Sequence, residues 1–361
     1  MFRRLSVILL GLLSACSPVD VLNALAPTEG FSVTSDVAYR SGPRPSGRQA
    51  LDVYSPKQTN APVVVFLYGG GWRDGRKESY RFLAAELARL GVVTVVPDYR
   101  VYPEVRFPGF LFDAAEAVAW TRRNIAQYGG DPKRLFVMGH SAGAHIAAML
   151  TLDRQWLGRV GLDPDRDIAG MIGLAGPYDF LPLRDPVLQT IFAPAGDLRL
   201  SQPITFARGD APPMFLASGM DDTVVLPSNT TKLADRIRGQ GGRVEAHLYP
   251  SLGHAVLIGA FARGLRWTAP VLEEVAAFVR VRQRCGVRLW RTAADREPRP
   301  TFGRIGIGGP TRRILPCRSH RGSACGRSFV PVGGSRRGWP ASGKSRSAGG
   351  LMFQRDKLVR I

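Results

Sequence analysis

Between residues 35 and 280, short and largely apolar runs alternate with stretches in which apolar residues recur every three or four positions. The runs lie at 63–67, 92–96, 135–138, 214–217 and, more mixed, 244–248. Most are rich in Val, Phe and Leu, which predicts strands buried on both faces. Between them the spacing turns helical: Leu83, Leu87 and Leu90; Leu111, Ala114, Val118 and Ile125; Leu233 and Ile237; Leu272, Val275 and Val279. Residues 168–174 form a weaker strand candidate, interrupted by Gly170 and Gly173. Upstream, 37–40 and 50–54 predict a hairpin whose connection contains Ser41-Gly42-Pro43. This alternation predicts an α/β domain, a mostly parallel sheet with helices on both faces, and is long enough for one large core. No internal repeat is visible.

The two ends differ from this middle. Met1-Phe2-Arg3-Arg4, an apolar stretch over 5–13 and Ser14-Ala15-Cys16 predict an export signal, too short to span a bilayer as a helix. Cys16 after Leu13-Ser14-Ala15 resembles the lipobox of bacterial lipoproteins. That resemblance implies cleavage before Cys16, lipid on its thiol and a tether to a membrane surface. Ser17 rather than Asp after it points to the outer membrane of a two-membrane cell. A plain secretory signal with an incidental cysteine is the other reading. Over residues 1–280, 30 basic side chains face 26 acidic ones, so only +4 of the formal +20 belongs there. The remaining 19 Lys/Arg against 3 Asp/Glu lie at 281–361 and show no apolar period. Such a segment buries too little apolar surface to offset its ordering entropy and is expected to stay unfolded. It is an inert tail, a functional basic tail, or the product of a frame shift near residue 284. No motif that reads DNA or RNA accompanies it, so no nucleic-acid partner is expected. The expected layout is a signal over 1–16, a linker over 17–34, the α/β domain over 35–284 and the basic tail over 285–361.

Of the four cysteines, Cys16, Cys285, Cys317 and Cys325, none lies in the body of the domain. Three remain once Cys16 is set aside, which closes no disulfide framework, and metal-ligand spacing is absent. No metal or organic cofactor is implied.

The chemistry-bearing residues follow the apolar runs, where ligands of a parallel sheet meet the carboxyl ends of its strands. After 135–138 comes Gly139-His140-Ser141-Ala142-Gly143, followed by the helix-like 144–150. A serine hydroxyl is a poor nucleophile unless a sharp turn holds it out of the fold, and the glycines permit that turn. An ordinary tight strand-to-helix connection is the bland alternative. After 63–67 comes Tyr68-Gly69-Gly70-Gly71-Trp72, whose glycines let backbone N–H groups approach a substrate oxygen. The donors are assigned to Gly70, Gly71 and Ala142, the residue after the serine. After 214–217, Asp221 and Asp222 compete to orient an imidazole. After 244–248 comes Tyr249-Pro250-Ser251-Leu252-Gly253-His254. Of five histidines, only His254 occupies a loop after a strand, and it completes the order Ser, Asp, His. His140, His145, His247 and His320 are read as non-catalytic.

These residues resemble the α/β-hydrolase superfamily, in its carboxylesterase branch with an H-G-G-G-type oxyanion loop. Asp98-Tyr99-Arg100 with Pro103-Glu104 and Pro108, and Tyr128-Gly129-Gly130-Asp131-Pro132, are similar to text of the feruloyl-esterase-like and prenylcysteine-methylesterase-like hydrolases. His is usual where Tyr68 stands, although the cholinesterase-like branch carries Tyr there. The resemblance implies an eight-stranded sheet, and its G-x-x-D-x-x-V pattern selects Asp222 over Asp221. It further implies a serine carboxylesterase working through an acyl-enzyme, with Ser141, Asp222 and His254 as triad and small esters as substrates. Asp98, Arg100 and Asp131 are expected to hold loops together. A short, Pro-rich insertion at 180–213 stands where lids grow in this fold, which predicts an open pocket and short acyl chains. A formamidase or peptidase would use the same machinery, and a non-catalytic binding protein of this fold would usually lack a triad member.

Overall fold

The computed structural model describes residues 18–40 and 47–281. The expected signal with Cys16, the hairpin connection Ser41-Gly42-Pro43 and the basic tail lie outside the described residues.

Eight strands form one sheet: β1 (Phe31–Ala38), β2 (Ala50–Pro56), β3 (Ala61–Leu67), β4 (Val93–Pro97), β5 (Gly130–His140), β6 (Gly170–Leu174), β7 (Met214–Gly219) and β8 (Val244–Tyr249). Their order is β1-β2-β4-β3-β5-β6-β7-β8. The two pairings made by β2 are antiparallel and the rest are parallel. Every residue of β3, β4, β6 and β7 is buried, so both faces of the sheet centre are covered, as the unbroken apolar runs predict.

The cover comes from helices in the connections. These are α1 (Pro18–Ala24) ahead of the sheet, α2 (Arg81–Arg89) and α3 (Gly109–Asn124). After β5 follow α4 (Ala142–Leu152), α5 (Arg154–Gly158) and α6 (Pro164–Asp167). The series ends with α7 (Pro186–Phe192), α8 (Ser228–Arg238), α9 (His254–Gly259) and α10 (Val271–Val281). Among the described residues, no helix is long and apolar enough to cross a membrane.

The chain leaves β3 toward β4 on one side and leaves β5 toward β6 on the other. The sheet therefore reverses direction between β3 and β5, and a crevice opens at their carboxyl ends. Leu67 lies beside Gly139 in that register, so the glycine loop and the serine turn leave the sheet next to each other.

Residues 17–34 were expected as a linker, but they contain α1 and the first residues of β1. β1 is an edge strand with mostly exposed side chains, so its polar sequence carries no apolar signal. Its register breaks between Thr34 and Val37, with Asp36 at φ 58, a bulge of the kind that blunts an edge. Two bonds of the Asn23 amide, to Phe82 N–H and the Glu78 carbonyl, dock α1 onto α2.

Beneath that edge lies Lys77, only 4% exposed, with its ammonium 2.9 Å from Asp36, 2.9 Å from Asp52 and 2.8 Å from Glu78. Its backbone N–H donates to Asp98. Asp52 is itself buried, so removing the cation leaves an uncompensated charge, which typically costs about 3–5 kcal/mol. Lys77→Met should lower the urea midpoint by an amount worth roughly that, and a midpoint equal to the parent's would show the cluster to be neutral.

Candidate active site

The turn after β5 is set by backbone contact. Ser141 has φ 54 and ψ −123, a conformation that side chains other than Gly rarely adopt. It is held there from both sides: its N–H donates to the Leu174 carbonyl at the end of β6, and its carbonyl accepts from Ala144 and His145. The flanking glycines have ordinary φ values, so they are required for space. A Cβ on Gly139 would sit 2.2 Å from the Gly143 backbone, and one on Gly143 would sit 2.0 Å from the Leu67 carbonyl oxygen.

The glycine loop after β3 is held by aromatic side chains. Tyr99 Oη donates to the Tyr68 carbonyl at 2.6 Å, and the two rings stack at 4.5 Å. Tyr80 also stacks on Tyr68, with ring centroids 6.1 Å apart. Gly70, Gly71 and Trp72 then run at φ 132, 60 and 58. A Cβ on Gly70 would fall 2.2 Å from the Asp74 carbonyl oxygen. Ala142 opens α4, where a first-turn N–H has no partner within the helix. Among the described residues, the N–H groups of Gly70, Gly71 and Ala142 donate to no other group.

The acid and base loops are stitched together. Asp221 N–H donates to the Leu252 carbonyl and Met220 N–H to the Tyr249 carbonyl. Gly219 is required because a Cβ there would lie 2.0 Å from the Leu252 oxygen. Between the loops, His254 Nδ1 lies 2.7 Å from Asp222 Oδ2. A carboxylate only accepts, so Nδ1 carries the proton and Nε2 is left with its lone pair. Asp222 Oδ1 accepts from the Val224 and Val225 N–H groups, which fixes the buried carboxylate. Asp221 is exposed, as expected of the loop aspartate.

Ser141 reaches the same place through its neighbour. The His140 and His254 rings are 4.8 Å apart, and His140 Nε2–H donates to the His254 carbonyl. A Cβ on Gly69 would touch both Ser141 Cβ and His140 Nδ1 at 3.1 Å, so the glycine loop, the serine and the histidines share one rim. The Ser141 hydroxyl makes no hydrogen bond among the described residues, which leaves it unengaged at that rim. No cluster of three His, Cys, Asp or Glu there has metal-ligating geometry.

His140 and His145 are wholly buried, and burial pushes both imidazoles down, His145 to about 4. His145 Nδ1 accepts from the Trp72 indole at 3.3 Å, and its Nε2 meets the Ser201 carbonyl at 2.8 Å. Sequence reading set His145 aside as non-catalytic and did not anticipate this bridge. Its only signal was a Trp after three glycines and a His one helical turn after the serine. Asp98 and Arg100 do hold loops, Asp98 accepting from the Lys77 N–H and Arg100 forming a fork on Asp113, whereas Asp131 lies in β5 and binds Lys133 N–H and Arg134 of the same strand. His247, in β8, packs on Phe215 of β7, and His320 lies outside the described residues.

Residues 51–237 match the family model described as BD-FAE. The chain is 29% identical over 232 residues to an isoprenylcysteine alpha-carbonyl methylesterase, ICME, of Arabidopsis thaliana, covering 58% of this chain and 54% of that protein. It is 30% identical over 253 residues to esterase LipC of Mycobacterium tuberculosis, covering 64% and 62%. It thus spans somewhat more than half the length of these curated relatives. Among solved structures, esterase B of Lactobacillus rhamnosis superposes with a TM-score of 0.62 at 19% identity, covering 77% of this chain and 96% of that one. That likeness places the fold among the α/β-hydrolases.

The buried imidazoles set an acid limit. A histidine held neutral down to about pH 4 in the fold, but free to protonate near 6.5 when unfolded, favours the unfolded state as pH falls between those values. His145 should therefore contribute its full stability above pH 6.5 and lose about 3 kcal/mol of it by pH 4. Urea titrations over that range should show the fall, and His145→Gln, with nothing to protonate, should show a shallower one.

Proposed function

Since the chain belongs to the BD-FAE family, we propose that it is a serine carboxylesterase. The observation that carries this reading is the 2.7 Å bond between Asp222 and His254, beside a serine held at positive φ under a loop of free amides. His254 Nε2 takes the proton of Ser141 as its oxygen attacks the ester carbonyl. The oxyanion that forms is met by the N–H groups of Gly70, Gly71 and Ala142, which need no reorganisation because nothing else engages them. Asp222 keeps the imidazole in the required tautomer and balances its charge. The imidazolium returns the proton to the departing alkoxide, which leaves as an alcohol. Water, deprotonated by the same imidazole, then adds to the acyl-enzyme and releases the carboxylate and the serine.

The names of the relatives support an ester as the substrate, and the insertion supports a small one. It consists of α7 and 3-10 turns at Ala193–Ala195, Leu198–Ser201 and Pro203–Phe206, with Phe180 and Phe192 packed on Trp72. Short acyl or small aromatic esters fit such a compact cap. The lipobox-like Cys16 supports a further part of the proposal, an exported protein tethered to a membrane surface, as in a bacterial outer membrane.

Ser141→Ala should abolish labelling by a fluorophosphonate probe and lower kcat on p-nitrophenyl acetate by at least about 10³-fold. Labelling that persists in this variant would remove Ser141 from the reaction. Asp222→Asn should cost roughly 10²–10⁴ in kcat, and Asp221→Asn less than about twofold. Across p-nitrophenyl esters from acetate to palmitate, kcat/KM should fall with chain length; best turnover on palmitate would rule out the small-acyl reading.

A further inference from the structure

We infer that His145 is a positioning residue that locks the oxyanion loop to the cap, so that the Gly70 and Gly71 amides keep their orientation only while Leu198–Ser201 stays docked. The inference rests on the reading of those amides as oxyanion donors.

Three consecutive positive φ values at Gly70, Gly71 and Trp72 aim these amides, and the third belongs to a residue with a bulky side chain. Tryptophan disfavours that conformation, so something must hold it there. Its carbonyl accepts from Tyr102 N–H at 2.8 Å, and its fully buried indole N–H donates to His145 Nδ1. The two rings meet edge to face at 5.1 Å. On its other side, the His145 ring reaches the Ser201 carbonyl and packs against Phe180 and Phe192 of the cap. Its backbone N–H donates to the Ser141 carbonyl. One residue thus joins all three: its side chain bridges the oxyanion loop and the cap, and its backbone N–H binds the serine turn.

Only one state of the ring serves both partners. Nδ1 must offer a lone pair to the indole, and Nε2 must carry the proton for the Ser201 carbonyl. A cationic ring would set two N–H groups against each other at Trp72. An apolar replacement of similar shape would leave both the indole N–H and the Ser201 carbonyl buried without partners. A histidine that merely fills the core would not be tied to catalysis, and kinetics separate the two cases.

The test uses the full chain with His145→Phe, Trp72→Phe and the double variant. Active sites are counted by fluorophosphonate labelling to completion, so that loss of folded protein is removed from the rate. Per labelled site, kcat on p-nitrophenyl acetate should fall about 10–100-fold in each single variant, with KM changed less than about threefold. An arylboronic acid accepts the Ser141 oxygen to form a tetrahedral anion, its proton passing to His254. Its Ki should rise by the factor by which kcat/KM falls. The double variant should lose no more than the worse single one. A per-site kcat within about twofold of wild type, or losses that multiply in the double variant, would overturn the coupling. Should His145→Phe not fold, Trp72→Phe carries the same kinetic criterion, because it breaks the same Trp72–His145 bond from the other side. Wild-type protein that is neither labelled nor active overturns the esterase reading and this inference together. Active wild type with unaltered variants overturns this inference alone.

Discussion

Two backbones meet at the carboxyl ends of β3 and β5 with no room for a side chain between them, and the site is built on that contact. Gly143 at the start of α4 lies against the Leu67 and Tyr68 carbonyls, and Gly139 lies against Gly143. The approach forces the chain to reverse over Ser141, which accounts for its positive φ. It also brings the first N–H groups of α4 beside the glycine loop that leaves β3. The serine turn and the amides of the glycine loop are therefore fixed together by the pairing of two neighbouring strands, where the sheet changes direction.

The loops above that contact are pinned by buried rings, Tyr68, Trp72 and Tyr99 among them, and by buried polar groups. Tyr80 and Tyr99 grip the glycine loop by stacking on Tyr68, and Tyr99 donates to the Tyr68 carbonyl. The Arg100 fork on Asp113 holds the segment after β4, and Lys77 gathers Asp36, Asp52 and Glu78 at the sheet edge. Each such group is costly if left unpaired, so the loops have few alternative arrangements. Tyr68, which stands where a histidine is usual, fits this role: its ring stacks and its main chain, not its side chain, faces the loop's work.

What could be read from the sequence follows from how each feature is encoded. Buried central strands announce themselves as unbroken apolar runs, and Ser141, Asp222 and His254 by residue type just after such runs. Only the end of β1 was legible, as the hairpin strand at 37–40 that pairs with β2, because the rest of an exposed edge strand has no apolar run. The polar start of β5 escaped for a similar reason: Asp131 and Arg134 satisfy each other there. The bridge from Trp72 through His145 to Ser201 was invisible because its partners are remote in sequence and one is a main-chain carbonyl. Side chains leave a trace in sequence when chemistry restricts their type, whereas an acceptor carbonyl can belong to any residue.

The three histidines near the serine show how burial assigns roles to identical groups. In the proposed reaction His254 carries a positive charge, and Asp222 balances it. The His140 ring stands 4.8 Å away. A second cation at that distance would oppose the first by roughly 3–4 kcal/mol at an effective dielectric of 20, enough to slow proton abstraction by about two orders of magnitude. Complete burial keeps His140 neutral and removes that opposition. With Nε2–H committed to the His254 carbonyl, its unpartnered Nδ1 is a bare lone pair, a smaller penalty than a stranded N–H. His140 can thus sit against His254, fix its backbone and, in the proposed reaction, leave the proton to His254 alone.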